Sequence, residues 1–392
     1  HRPTIWGITM KLQNQISDQL LKQRKTEKQE DVRGPYYRDT TAIIHSSAFR
    51  RLKHKTQVFF APSNDHICTR MEHCLHVASI ASTICRGLGL DSELAWAIGM
   101  GHDLGHTPFG HTGEKILSSK MQQAGFGAFE HEINSLRVVD FLSNQGKGLN
   151  LTYAVRDGIV CHNGEKLVKS IKPTFTVRDL DVVHERKGLL PATYEAAVVR
   201  LCDTIAYLGR DFEDACRLGL ISKKDLPGDV EKLLGNRNAQ IIDTLVVDVI
   251  EHSNSEEGIS FSDELFPAVQ KMIAFNYEYI YKSPMLEGYE RYFTRLFSLI
   301  LDYLGNLLRT YEFTEALYTQ EKNMLAMGFY HHLMDMKDAY LQKDGNLDRL
   351  IFDYIGGMSD TFCLDCANEI LKPEHLNDSI EHSLTGKWFD VR

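Results

Sequence analysis

Nothing in this chain approaches the roughly 20 consecutive apolar residues that a membrane-spanning helix requires. Its opening residues, "HRPTIWGITM", show no secretory pattern either. Met10 is the first methionine, so the residues ahead of it read as vector-derived and carry no functional weight. Internal repeats, low-complexity tracts and an obvious interdomain linker are all missing. Positive charge is short as well: 53 acidic residues face 44 basic ones, for a net charge of −9. A broad polyanion-binding surface is therefore excluded, and any phosphate must be held in a local basic pocket. The eight cysteines (68, 74, 85, 161, 202, 216, 363 and 366) form no disulfide framework. Several lie in apolar helical stretches, where they read as small buried side chains. Cys363 and Cys366 make a CxxC pair, but no second ligand pair lies nearby to complete a zinc knuckle. This usage fits a reducing cytoplasm, where the glycosylation triplets at Asn150 and Asn377 mean nothing.

What is present is an ordinary globular composition of 392 residues, 43% hydrophobic and 25% charged, enough for one large core or two domains. Helical spacing dominates. Leu75, Ala78, Ile80, Ala81, Ile84 and Leu88 predict a helix over 71–88. A second follows over 92–104, with Asp91 or Ser92 as its N-cap. Ala197, Leu201, Ile205, Leu208, Phe212 and Cys216 make one apolar stripe over 193–218. Further helices are expected at 239–252, 265–282, 289–310, 312–327 and 361–371. Strand signals are few; "SIKPTFTV" (170–177) is the best candidate for a short strand or hairpin. "GHTPFGHTG" (105–113) reads as a loop, because Pro108 and its flanking glycines break the preceding helix. The expected fold class is mainly α.

The densest chemistry lies in "GHDLGHTPFGHTGE" (101–114), with four histidines, one aspartate and one glutamate. Adjacent residues of a helix point about 100° apart, so His102 and Asp103 reach one ion together only at a helix end. Upstream, "TRMEHCLHVA" offers His73 on an amphipathic segment. Downstream, "RLCDTIAYLGRD" offers Asp203, an acid within an apolar helix that needs a cation to offset its desolvation. Two imidazoles and two carboxylates suit an octahedral Mn²⁺, Fe²⁺ or Ni²⁺ with two positions left open. Mg²⁺ prefers oxygen, and tetrahedral Zn²⁺ would be closed by four ligands; both stay on the list of candidate ions. Asp203, Tyr207 and Asp211 follow at i, i+4 and i+8, on one face of their helix.

The pattern His…His-Asp…Asp resembles the HD-domain phosphohydrolases. "FRRLKHKTQVF" (49–59), "RMEHCLHVA" (70–78), "GHDLGHTPFGHTGE" (101–114), "FEHEINSLRVV" (129–139) and "RLCDTIAYLGRDFEDA" (200–215) occur in the order seen in the deoxyguanosine triphosphate triphosphohydrolase (dGTPase) family. "LVVDVIEHS" (245–253) and "DYIGGMSD" (353–360) are similar to it too, so the resemblance runs from about residue 36 to about 370. It implies an HD-domain helical bundle with additional C-terminal helices and at most a short hairpin. The expected division is an N-terminal segment (1–35), an HD phosphohydrolase core (36–225) and a C-terminal helical region packed on it (226–392). It implies one divalent metal per site, on His73, His102, Asp103 and Asp203, and hydrolysis of a deoxynucleoside triphosphate to deoxynucleoside and inorganic triphosphate. It gives His111 and Glu114 catalytic roles, packs Tyr207 against the deoxyribose and lets Asp211 bond the 3′-hydroxyl. It also implies homo-oligomers, tetramers or hexamers, with a dNTP activator at a separate site in some relatives. Single-stranded DNA binding occurs in the family, but the acidic net charge here gives it no support.

Each candidate residue also has a plain structural reading. Cations should surround the triphosphate, and Arg70, three residues before His73, is the first choice, against a surface salt bridge with Glu72 or Asp65; Lys55 is the second. His106, i+4 from His102, is expected at phosphate, against a bond to its own loop; His131 is weighed in the same way. His76 reads as structural. His54, His66, His162, His184, His252, His331 and His332 read as surface or core histidines. Thr361, where relatives often carry arginine, and Cys161-His162, where they often carry lysine, depart from the family pattern. The alternative functions are another HD-type nucleotidase or phosphodiesterase, or a nucleotide sensor without turnover.

Overall fold

A computed structural model describes residues 12–60, 65–164, 166–343 and 345–371. Residues 1–11 and Asn377 lie outside the described residues. The architecture is mainly helical, as the apolar periodicity predicts. No helix among the described residues is long and apolar enough to cross a membrane.

Three helices frame the centre. The first, Arg70–Leu88, starts at a capping box: the Thr69 amide donates to Glu72 Oε2 at 2.8 Å, and the Thr69 hydroxyl accepts from the Glu72 amide. It stops at Gly89, in the left-handed conformation at φ 70°. The second, Ser92–Gly101, is capped by Asp91, whose carboxylate accepts from the amides of Glu93 and Leu94. The two pack closely because Gly99 has no side chain; a Cβ there would lie 2.6 Å from the Ala78 Cα. The third, Tyr194–Arg217, is capped by Thr193 and packs across the first. Val77, Ala81, Ile98, Val155, Val198, Leu201 and Leu245 belong to the resulting core, all but fully buried.

A second apolar cluster forms around helices Gly110–Gln123, Pro284–Tyr311, Met324–Lys343, Asp348–Gly357 and Asp360–Leu371. Its buried side chains include Phe109, Leu117, Phe297, Tyr318, Phe329 and Ile355. The segment 102–109 bridges the two: Leu104 is buried in the first cluster and Phe109 in the second. Phe109 takes a left-handed backbone at φ 62°, unfavourable for a residue with a Cβ. It is held by stacking on Phe293, with ring centroids 3.9 Å apart, and by donating its amide to Asp360 Oδ1 at 2.9 Å. The other Asp360 oxygen accepts from the Thr56 amide and hydroxyl, at 3.2 and 2.6 Å. The "DYIGGMSD" block thus pins the central loop, while the neighbouring Thr361 is exposed.

Three expectations are corrected. The 105–113 stretch is a loop only to Phe109; a helix begins at Gly110, so His111 and Glu114 sit on its first turns. The region 312–327 is not one helix but Glu315–Gln320 followed by Met324–Lys343, with breaks where Glu312 and Lys322 take positive φ. Tyr318, buried between them, donates its hydroxyl to the Glu312 carbonyl across the first break. The strand expected over 170–177 is two residues long and forms no local hairpin. Ser170–Ile171 pairs antiparallel with Ile259–Ser260, and Pro173, without an N–H, cannot extend the ladder.

Gly105 shows how tightly the central loop is built. A Cβ there would meet the Ser135 amide at 2.1 Å and the Asn134 carbonyl carbon at 2.4 Å. The Gly105 amide donates to Ser135 Oγ at 2.9 Å, and its carbonyl accepts from Asn134 Nδ2 at 2.8 Å. Gly105→Ala is expected to lower unfolding stability by about 2 kcal/mol or more, from overpacking and lost hydrogen bonds. Urea unfolding followed by circular dichroism checks this; an unchanged midpoint would mean that the 134–135 backbone yields freely.

Candidate metal centre

Helix ends and first turns carry the chemistry. His73 lies on the first turn of Arg70–Leu88, buried. His102 is the residue that ends Ser92–Gly101, and the chain turns there, as an adjacent pair of ligands requires. Asp203 projects from the middle of Tyr194–Arg217, flanked by the buried Cys202 and Thr204. His73 Nε2 and Asp203 Oδ1 are 2.8 Å apart, and His102 Nε2 lies 3.8 Å from the same oxygen. One ligand atom from each of these three residues falls within 4.8 Å of the other two. His102 Nδ1 donates to the Gly99 carbonyl at 2.7 Å, which fixes the tautomer and leaves Nε2 as the free lone pair. A soft-to-borderline nitrogen pair with a carboxylate is the donor chemistry of a divalent transition metal.

Asp103 joins this group only through His102. Its carboxylate forms an overlapping trio with His102 and His162, and ion-pairs with Arg70 Nη1. Burial alone would raise the Asp103 pKa, but the Arg70 guanidinium outweighs it and holds the carboxyl well below its ordinary value. Burial likewise opposes charge on Asp203 and on His73, yet their mutual contact wins: Asp203 is depressed and His73 is raised. For His102 burial outweighs the pull of Asp103 and Asp203 and pushes it down to about 4.

From this centre a file of imidazoles runs to the surface. Ring centroids are 5.3 Å apart for His73–His102, 4.9 Å for His102–His162 and 5.3 Å for His162–His131. They continue at 4.5 Å for His131–His106 and 5.3 Å for His106–His111. The first five rings are buried, whereas the His111 side chain is 79% exposed. Glu114 organises the outer end. Its Oε1 accepts from the His131 amide at 2.9 Å and lies 3.0 Å from His131 Nδ1; its Oε2 lies 3.4 Å from His111 Nδ1. Burial disfavours charge on His131, but Glu114 and Glu132 overcome that and raise it to about 10. Glu114 is correspondingly depressed despite its burial. His106 is held neutral by burial and by Arg70, and its Nδ1 is buried with no partner.

The remaining sequence-predicted residues divide clearly. Arg70 is buried against the centre, not paired at the surface with Glu72 or Asp65. Lys55 is buried too, but its Nζ donates to the His106 and Gly356 carbonyls, so it braces the central loop from behind; burial lowers its pKa to about 7. Tyr207, half-buried, and Asp211, buried, follow Asp203 at successive turns of one helix. Burial raises Asp211 to about 7, and its Oδ2 accepts a 2.6 Å hydrogen bond from Tyr281. Two residues escaped the sequence reading. His162, taken for a surface or core histidine, is buried between His102 and His131, with Nδ1 donating to the Ile159 carbonyl at 2.6 Å. Its place at the end of the apolar helix Tyr153–Val160 was the available signal. Tyr281 reaches Asp211 from 70 residues away, and nothing local in the sequence marks it. His54, His66, His184, His252 and His331 are exposed, as expected.

Comparison with known proteins gives a consistent picture. The family model described as "HD domain" matches residues 70–208. The chain is similar to a "Deoxyguanosinetriphosphate triphosphohydrolase-like protein" of Caldanaerobacter subterraneus subsp. tengcongensis, 36% identical over 351 residues, covering 89% of this chain and 88% of the relative. A protein of the same name from Desulfatibacillum aliphaticivorans is 39% identical over 278 residues, covering 70% and 74%. Another, from Clostridium tetani, is 36% identical over 354 residues, covering 89% and 88%.

The His131 environment sets a pH dependence. Its pKa rises from the ordinary 6.5 to about 10 on folding, so its stabilising contribution is complete below about 6.5 and is lost as pH climbs through 10. Replacing it by glutamine should flatten the fall in stability between those limits. Urea midpoints at several pH values test this; parallel curves for parent and His131→Gln would refute the raised pKa.

Proposed function

We propose, from the premise that this chain belongs to the family of HD-domain, deoxyguanosinetriphosphate triphosphohydrolase-like proteins, that it hydrolyses deoxynucleoside triphosphates to deoxynucleoside and inorganic triphosphate. The observation that carries the reading is the convergence of His73, His102 and Asp203 on one point, beside a buried arginine and a carboxylate-held histidine. His73, His102 and Asp203 would hold one divalent ion, with Asp103 as fourth ligand. Bound there, such an ion supplies a low-pKa water and neutralises phosphoryl charge.

The chain's own residues divide the rest of the work. Arg70 offers a fixed, buried cation for the polyphosphate, and neutral His106 a hydrogen-bonding group beside it. Water attack at the α-phosphorus breaks its bond to the sugar 5′ oxygen, which departs with the nucleoside and needs a proton. His111 is the donor in this reading, with Glu114 orienting its ring through Nδ1. Glu114 is itself anchored on His131, which fixes the position of its carboxylate. Tyr207 packs against the sugar, crowding the 2′ position against a ribose hydroxyl. Asp211, one turn further, accepts from the 3′-hydroxyl.

Metal-reconstituted protein incubated with each dNTP, singly and in pairs, tests the reaction. Inorganic triphosphate is the expected product; orthophosphate would assign a different phosphohydrolase reaction. Turnover seen only with mixtures would reveal an activating nucleotide at a second site. Asp203→Ala is expected to abolish turnover and metal content together, and retention of both would refute the ligand assignment. His111→Ala should keep its metal and slow turnover by about a hundredfold or more; near-normal rates would remove it from the mechanism.

A further inference from the structure

His106, His111 and Glu114 also place one donor atom each within 4.8 Å of the others, and share no residue with the His73, His102 and Asp203 group. Overlap decides which of the candidate groups can be filled at once. His102 has a single free nitrogen, because Nδ1 is committed to Gly99. The two groups that contain His102 therefore describe one ion, not two. The His106, His111 and Glu114 group is independent of it.

Three observations favour occupancy of this outer group. His106 is 1% exposed, yet its Nδ1 has no hydrogen-bond partner, an expensive state for a buried polar atom. The His111 Nδ1 to Glu114 Oε2 separation of 3.4 Å is long for a charge-assisted hydrogen bond and leaves a gap between donor and acceptor. Glu114 Oε1 lies within hydrogen-bond distance of both the His131 amide and His131 Nδ1, at 2.9 and 3.0 Å, so Oε2, itself 3.1 Å from that Nδ1, can turn to an ion while the carboxylate stays anchored. Two imidazoles and one carboxylate, open to solvent on the exposed His111 side, make the donor set of a three-ligand borderline ion with water in the fourth position.

We propose that His106, His111 and Glu114 form an accessory site for a borderline divalent cation of the Zn²⁺ type, separate from the His73, His102 and Asp203 centre, and that its filling silences the enzyme. An ion there takes the lone pair of His111 and pulls Glu114 Oε2 away from it, so the proton donor is lost. The binding stands on geometry alone; the silencing rests on the role given to His111 above.

The test is a metal count on the whole chain. Protein stripped with a chelator is saturated with Zn²⁺, passed through gel filtration and assayed for retained ions. The intact chain is expected to retain about two tightly held ions, and His111→Ala and Asp203→Ala about one each. Because the His111 side chain is exposed, its removal leaves the packed core intact; circular dichroism verifies this, and His111→Gln provides a second variant. Retention of a single ion that only Asp203→Ala removes would overturn the accessory site and leave the primary centre standing. Loss of an ion in His111→Ala with none lost in Asp203→Ala would support the accessory site and sink the primary assignment. In activity assays, Zn²⁺ added to Mn²⁺-loaded enzyme should lower turnover by roughly tenfold or more, as removal of an acid/base group would. Unchanged turnover with two ions bound would overturn the silencing.

Discussion

The structure turns on a carboxylate that its surroundings do not favour. Asp203 sits on an otherwise apolar face of a long core helix, with only 18% of its side chain exposed. Burying an isolated carboxylate is far more costly than any single packing contact can offset, so the neighbouring elements must supply positive charge or donors. His73 does so from the first turn of one helix, while His102, at the end of another, sets its free Nε2 lone pair 3.8 Å from the same carboxylate oxygen. The two helix termini are brought together by small side chains: Gly99 against Ala78 lets the backbones approach more closely than any other residue would allow. Packing and site chemistry are therefore one constraint here. An enlarged residue at that crossing would push apart the two helices that carry these imidazoles.

A second dependency runs through the loop after Asp103. It joins two apolar clusters, and its geometry is fixed from both sides: Gly105 against the 134–135 backbone, Lys55 on the His106 carbonyl, Asp360 on the Phe109 amide. Phe109 adopts a backbone conformation it would avoid in isolation, and the Asp360 bond and Phe293 stacking hold it there. The consequence is directional. The helix that starts at Gly110 is aimed so that Glu114 reaches His131 and His111 faces outward. Residues from the C-terminal third, Phe293 and Asp360 among them, thus help decide where His111 and Glu114 stand.

Much of this was legible in the sequence, for a physical reason. Apolar periodicity is a local property, and it marked the helices 70–88, 194–217 and 238–252 to within a residue or two. Histidines and an aspartate beside helix-breaking residues likewise announced a helix-end site. What the sequence did not carry was set by tertiary partners. The start of the helix at Gly110 depends on Asp360, 250 residues away, and the break at Glu312 on Tyr318 in the following helix. His162 looks like any apolar-flanked histidine until the fold places it between His102 and His131. Lys55 carries the right charge for phosphate, but only the fold shows its ammonium turned toward two backbone carbonyls.

The file of histidines also explains how one residue type serves several ends within a short distance. Burial alone drives an imidazole neutral, and that is the state of His102, His106 and His162, whose lone pairs stay free for an ion or a substrate. A buried carboxylate reverses the outcome, and His131, set between Glu114 and Glu132, keeps its proton. The charged ring does not compete for an ion, and it anchors the carboxylate that orients His111. Exchange the positions of Glu114 and an apolar residue, and the same rings would become a row of equivalent neutral bases with nothing to distinguish ligand from acid. The placement of two glutamates, rather than the number of histidines, is what divides this file into neutral rings and one that keeps its proton.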